Sequence, residues 1–376
     1  MTNNAGGYLC QLLKSRAFTL GLCAVLGHAL HAQLDHTVLQ QMPLPVPDSG
    51  KWNLSFEQLT YFKNNEYYSP INPGQTWFGM QLTPQVQYSP ANNVLLSGGL
   101  MLQKEFGSLK ALDKVQPLLN LQYLNGNWKL IAGSLLGHVN HNMSEPMYDF
   151  ESSFYRRVEY GVQVIHKSDA WRWDSWIDWQ RNIRREDPWQ EQFTAAGNGS
   201  GRLLHAGNWC LWLPVQFTLF HRGGQINVGA TPNISKLNTS TGLRLELFQG
   251  SLALESHLMH SFDFSPHPVQ PWLNGHAWYT NAIVRWGKYY RATCTWWRGT
   301  EWQSPVGGPL FGGINNYDVY LNERVRELYM LRLQYVRALA PGFYIDVRLE
   351  PHYDRNLAKA ELSHGLFMSY RGLIKR

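Results

Sequence analysis

The sequence predicts an all-β protein: a transmembrane, antiparallel, up-and-down β-barrel of sixteen strands, with fourteen as the alternative. Three observations carry this expectation. Apolar and polar residues alternate with period two over segments of roughly ten to twelve residues, long for ordinary strands but right for membrane-crossing ones. The links between segments alternate between tight turns and long polar loops, the outer-membrane pattern. After residue 32 no run of 18 apolar residues offers a membrane helix, whereas a closed barrel satisfies every backbone group without one.

The elements follow in order. In FGMQLTPQVQY, Phe78, Met80, Leu82, Pro84, Val86 and Tyr88 share one parity, and Gln81, Gln85 and Gln87 share the other. Val115 to Tyr123 repeats the pattern, Asn125-Gly126 supplies a hairpin turn, and Trp128, Leu130 and Ala132 continue it. Further alternating segments run over 158–164, 171–179, 209–219, 278–286 and 343–349. The apolar parity is expected to face lipid and the amide parity a lumen. Short links are read at Ser89–Asn92, Asn125-Gly126, Lys167–Asp169, Gln249-Gly250, Gly287-Lys288 and Ala340–Gly342. Long loops are read at about 64–74, 138–154, 181–190, 221–236, 264–275 and 299–323. Alternation up and down requires one more strand, a Gly-rich one at about 192–204, which brings the count to sixteen with both ends on the periplasmic side.

The amino terminus reads as a secretory signal peptide over residues 1–32. Lys14 and Arg16 form its basic region, Ala17 to Leu26 its apolar region, and cleavage is expected after Ala32. Residues 33–50 read as a Pro-rich periplasmic lead-in, and 51–376 as the barrel. The chain is 14% aromatic and only 16% charged, and losing the signal lowers its net charge from +6 to +4. That is too mild for a nucleic-acid partner. Cys210 and Cys294 leave room for one disulfide but not for a disulfide scaffold.

The signal ending in Ala-Gln, the aromatic-rich hairpins, and the segments LPVQFTLFHRGGQIN and GTEWQSPVGGPLFGG resemble porin-like outer-membrane barrels of the Bacteroidota type. The resemblance implies a bacterial outer-membrane location and a barrel fold. One departure is the last strand, Leu362 to Leu373, which leads to LIKR where many such barrels end in an aromatic residue.

Charges in a membrane span must face water or each other. The lumen parity holds Arg172, Asp174, Asp178, Arg244, Glu246, Glu255, Arg285, Arg291, Arg332, Asp346, Arg348 and Glu350. Their mixed signs favour a paired network over a charge-selective eyelet. In the loops, His221, Arg222 and Gln225 could hold an anion or sugar, and Trp302 and Phe311 could stack on a sugar or lipid chain. A structural role outweighs both. His138, His141 and Glu145 offer a weak metal pattern, and no metal or other cofactor is expected. A barrel lipase would need Ser and His on one outward face near the membrane rim; Ser256 and His364 meet only the parity.

The expected function is a non-enzymatic, porin-like channel for small hydrophilic solutes, its bore set by inward-folded loops. The alternatives are a hydrolase acting on outer-membrane lipid and a plugged barrel serving an envelope complex. Expected partners are outer-membrane lipid, the barrel-assembly machinery, small solutes and, by analogy with porin-sized barrels, further copies of the chain.

Overall fold

The computed structural model describes residues 36–44, 48–185, 187–224, 231–315, 318 and 320–375. The signal assigned to 1–32 and the ligand candidate Gln225 lie outside them. Sixteen antiparallel strands close into one barrel. They are β1 (Trp52–Glu66), β2 (Thr76–Ala91), β3 (Val94–Glu105), β4 (Lys114–Asn125), β5 (Trp128–Ser134), β6 (Tyr160–Lys167), β7 (Trp171–Arg181) and β8 (Glu191–Ala206). The second half holds β9 (Trp209–Gly223), β10 (Ile234–Leu247), β11 (Leu252–Asp263), β12 (Asn274–Trp286), β13 (Tyr290–Thr300), β14 (Val325–Ala340), β15 (Phe343–Asp354) and β16 (Lys359–Lys375). The seam pairs β1 with β16 from Asn53↔Lys375 to Glu66↔Leu362, so no edge strand remains.

The period-two pattern decides which side chains face out. In β2, Phe78, Val86 and Tyr88 are exposed on the outer wall, while Gln81 and Gln87 are buried inside. In β7, Trp171, Ile177 and Trp179 face out and Trp176 faces in. Outward Leu, Val and ring residues form the apolar band that a bilayer solvates, with Trp and Tyr near strand ends as interfacial girdles.

The Gly-rich strand β8 owes its weak signal to packing. A Cβ on Gly199 would lie 2.3 Å from the Trp173 ring, and one on Gly197 would lie 2.5 Å from the Phe217 ring. The neighbouring rings lie across this strand and cover it, which replaces side chains of its own. A bulge between Arg202 and Leu204 further blurs the parity.

Link lengths depart from strict alternation in one place. The β15–β16 link is short although it lies on the long-loop side; Asp354 Oδ1 accepts the Asn356 and Leu357 amides at 3.0 and 3.2 Å and closes it. Strand lengths also vary more than expected, because β5 leaves the wall early. Gly133 has φ +100°, and a Cβ there would lie 2.1 Å from the Leu119 carbonyl oxygen. From there the chain turns into the lumen as the third long loop, L3 (135–159). The seventh, L7 (301–324), turns inward likewise. His221 and Arg222, expected in a loop, lie on β9, which runs through Gly223.

Residues 36–44 of the lead-in also run inside the barrel. Val38 and Leu39 are buried, Leu39 O accepts Arg157 Nη1 at 3.1 Å, and Met42 N donates to Glu57 Oε2 at 2.9 Å. Cys210 and Cys294 are free thiols on separate strands.

Replacing outward Leu213 or Leu349 with Arg should cost ~2–4 kcal/mol near the bilayer midplane. The folded fraction of each variant, read from heat-modifiable gel mobility after refolding into lipid, should fall; unchanged folding of both would contradict the facing.

Candidate functional site

All the lumen candidates project inward, and the structure sorts them into separate groups. Arg244 bridges Glu246 at 2.8 Å and Glu255 at 3.0 Å. Arg348 pairs with Asp346 at 2.6 Å and meets His36 Nδ1 at 3.1 Å. Glu350 binds both Arg332 and Lys63, and Arg332 reaches Glu145 of L3 at 2.8 Å. Asp178 accepts the Tyr160 amide at 3.0 Å, and Arg285 donates to Gly250 O at 3.2 Å. Arg172 lies over the Trp212 ring, and Arg291 is buried in the wall.

L3 is held by a histidine clamp. His141 lies flat on Trp176, centroids 3.4 Å apart, with Nδ1 2.9 Å from Asp174 and Nε2 2.9 Å from Glu159. Tyr148 donates to Glu159 at 2.7 Å, and Asn198 donates to His141 O at 2.8 Å. Burial opposes a charge on His141, but Asp174 and Glu159 outweigh it and push its pKa up to about 9. Burial holds His138 down at about 4, so it is neutral. In the His138/His141/Glu145 pattern both histidines turn to Glu159, while Glu145 turns to Arg332. Among the described residues no group of three His, Cys, Asp or Glu is arranged to hold a metal ion.

L7 meets L3 backbone to backbone. Asp149 N donates to Val306 O and Gly308 N donates to Glu145 O, both at 2.8 Å. A Cβ on Gly307 would lie 2.1 Å from Pro146 O, so only glycine allows the contact. Trp302 and Phe311 sit on Trp297, at 5.7 and 5.2 Å between ring centroids. They are anchors of a partition across the lumen and present little free surface. Every strand contributes at least one inward side chain cut off from solvent, from Lys63 in β1 through Gln163 in β6, Thr218 in β9 and Trp297 in β13 to Ser363 in β16. Above the partition, L7 separates a cavity of about 380 Å³ beside Lys63 and Arg332 from one of about 320 Å³ beside Arg222 and Lys236.

Acyl chemistry needs a hydroxyl, a base and access. Ser240 Oγ, His257 and Glu255 form a relay, at 2.9 Å from Ser240 to Nδ1 and 2.5 Å from Nε2 to Glu255, but all three are buried. Ser152 Oγ lies 3.0 Å from His138 Nδ1, is equally buried, and donates to Asp149 O. The third pair is different. Ser235 Oγ lies 2.9 Å from His221 Nδ1, on directly opposed residues of β10 and β9. Both sit on the outward parity and are only partly buried. The register continues the row as Trp179↔Phe193↔His221↔Ser235. Trp179 stacks on Phe193, and Phe193 packs on His221, at 5.2 Å in each case. Below His221, β9 is apolar outward from Trp209 to Leu219, a rise of about 26 Å for a strand tilted by about 40°. That is the height of an outer-membrane apolar band, so the pair sits in the girdle where headgroups begin. The parity candidates do not meet: Ser256 bonds Thr280 at 2.9 Å on β11–β12, and His364 packs on Phe62 at the β1–β16 seam. Ser235 was missed because residues 221–236 read as loop; only the β9–β10 register brings it to His221.

These features define a sixteen-strand bacterial outer-membrane barrel. The sequence matches the Lipid A 3'-O-deacylase-type family over residues 44–376, and the chain belongs to that family. No curated protein matches it in sequence. Similar solved structures include OprD of Pseudomonas aeruginosa, with TM-score 0.54, 9% identity, and coverage of 89% of this chain and 98% of that one. OpdL of the same organism gives TM-score 0.52 and 10% identity, covering 86% and 99%. OmpT of Vibrio cholerae gives 0.51 and 8%, covering 86% and 100%. At these identities the likeness is one of fold.

A raised His pKa stabilises the folded state fully below about 6.5, the unfolded value, and the contribution is lost as pH rises through about 9. Wild type should therefore exceed His141→Gln in heat resistance by up to about 3 kcal/mol near pH 6. Thermal unfolding in detergent should show the gap closing by pH 10; a constant gap would refute a charged clamp.

Proposed function

We propose that the protein hydrolyses an acyl ester of an outer-leaflet lipid at the Ser235–His221 pair. The observation that carries this reading is the accessible Ser–His hydrogen bond in the aromatic girdle. Membership of a family named for lipid A 3'-O-deacylation supports it, as does a lumen into which L3 and L7 fold and meet.

The chemistry follows from the geometry. Ser235 Oγ attacks the ester carbonyl while His221 Nδ1 accepts its proton. The C–O bond to the leaving alcohol breaks, and the imidazolium returns that proton to the alkoxide. Water then attacks the acyl-serine, with His221 again taking and returning the proton, and a fatty acid leaves. Phe193 packs on the imidazole and orients it, so the pair works as a dyad.

A second reading is a channel for small hydrophilic solutes, favoured by the two vestibular cavities. It requires the L3–L7 partition to move. Export by the amino-terminal signal and passage through the barrel-assembly machinery belong to both readings. So does a Bacteroidota origin, carried by the β9 segment and the inward arm of L7.

Ser235→Ala should reduce fatty-acid release from lipid A in mixed micelles to background, and His221→Gln should lower it by at least ~100-fold. Ser256→Ala and His364→Ala should leave it unchanged. Mass spectrometry of the lipid product checks this; full activity in Ser235→Ala would end the proposal.

A further inference from the structure

The two vestibular cavities carry opposite charge. The larger has Lys63 and Arg332 against Glu145, Asp149, Glu151 and Glu350. The smaller, between β9, β10 and L7, has Arg222 and Lys236 against Asp263. There Lys236 is already satisfied: it pairs with Asp263 at 3.3 Å and donates to Gln303 Oε1 at 2.5 Å and to Gln270. Arg222 is left over. Among the described residues it has no ion pair, and its Nε is shut off from solvent without a hydrogen-bond partner.

A half-buried guanidinium that lines a cavity without a counter-charge is costly unless an anion joins it. Its fork of donors suits a carboxylate or phosphate held by two oxygens. The rest of the wall suits hydroxyls and an apolar face: Gln270, Gln303, Ser265 and Ser304 beside Val269 and Pro305. About 320 Å³ is small-molecule size.

We propose that this cavity binds a small hydroxylated carboxylate of the size of one sugar acid, with Arg222 as its anchor. This is independent of the acyl chemistry, because His221 points outward and Arg222, its neighbour in sequence, points into the lumen. The same chemistry could arrive as a free solute or as the end of a surface polysaccharide.

The test is calorimetric titration of the full mature chain, refolded in detergent and checked by heat-modifiable mobility. D-glucuronate is one probe and a short oligomer of glucuronate the other. Saturable binding of the free acid is expected and marks a solute; binding of the oligomer alone would mark a polysaccharide end, and both support the site. Arg222→Gln should weaken binding at least tenfold, Arg222→Lys less, and Glu151→Gln in the other cavity not at all. D-glucose should bind at least tenfold more weakly than the acid. Absence of saturable heat with either probe, equal affinity in folded Arg222→Gln, or equal affinity for glucose would overturn the proposal.

Discussion

A strand that crosses lipid must give each backbone N–H and C=O to a neighbour, because the hydrocarbon offers none. The β1–β16 pairing meets that demand for the whole sheet, and the rest of the molecule depends on it. Once the sheet is closed, each residue has only two directions. Outward positions must be apolar or interfacial, and inward positions are free to be polar. The Gln81/Gln87 face of β2 and the Leu213/Phe217 face of β9 are two consequences of the same closure.

Closure at sixteen strands leaves a lumen too wide for wall side chains to fill. Here the chain fills it with itself. L3 enters after Gly133, L7 meets it through Gly307 and Gly308, and residues 36–44 pack beneath. Polar backbone brought into this space needs partners. The wall supplies them as Asn198 for the His141 and Asn142 carbonyls, Gln216 for the Ser144 amide, Glu57 for the Met42 amide and Arg326 for the Leu310 carbonyl. The inward charges hold the filling in place. With the lumen occupied, the chemistry proposed for Ser235–His221 and for the Arg222 cavity lies at the outer rim and above the partition.

The architecture was legible because a period of two is a binary signal. Even β8 could be placed by counting turns, although glycines covered by Trp173 and Phe217 hid its pattern. What the loops do was not legible. His138 and His141 suggested metal-ligand spacing, yet His141 finds Asp174 and Glu159, residues that its own spacing says nothing about. Ser235 was invisible beside His221 for the same reason, since cross-strand register belongs to the sheet. The lead-in read as Pro-rich and periplasmic, whereas Val38, Leu39 and Leu44 are buried.

The proposal of Ser235–His221 chemistry puts the working face on the lipid side of a barrel whose lumen is filled by L3 and L7. Single-channel recording of the refolded mature chain in a planar bilayer tests it most directly. Insertion should be verified independently by protease protection. The account predicts no unit conductance from inserted, folded protein. Steady, reproducible current steps would contradict it, showing that the L3–L7 partition opens and that the protein conducts.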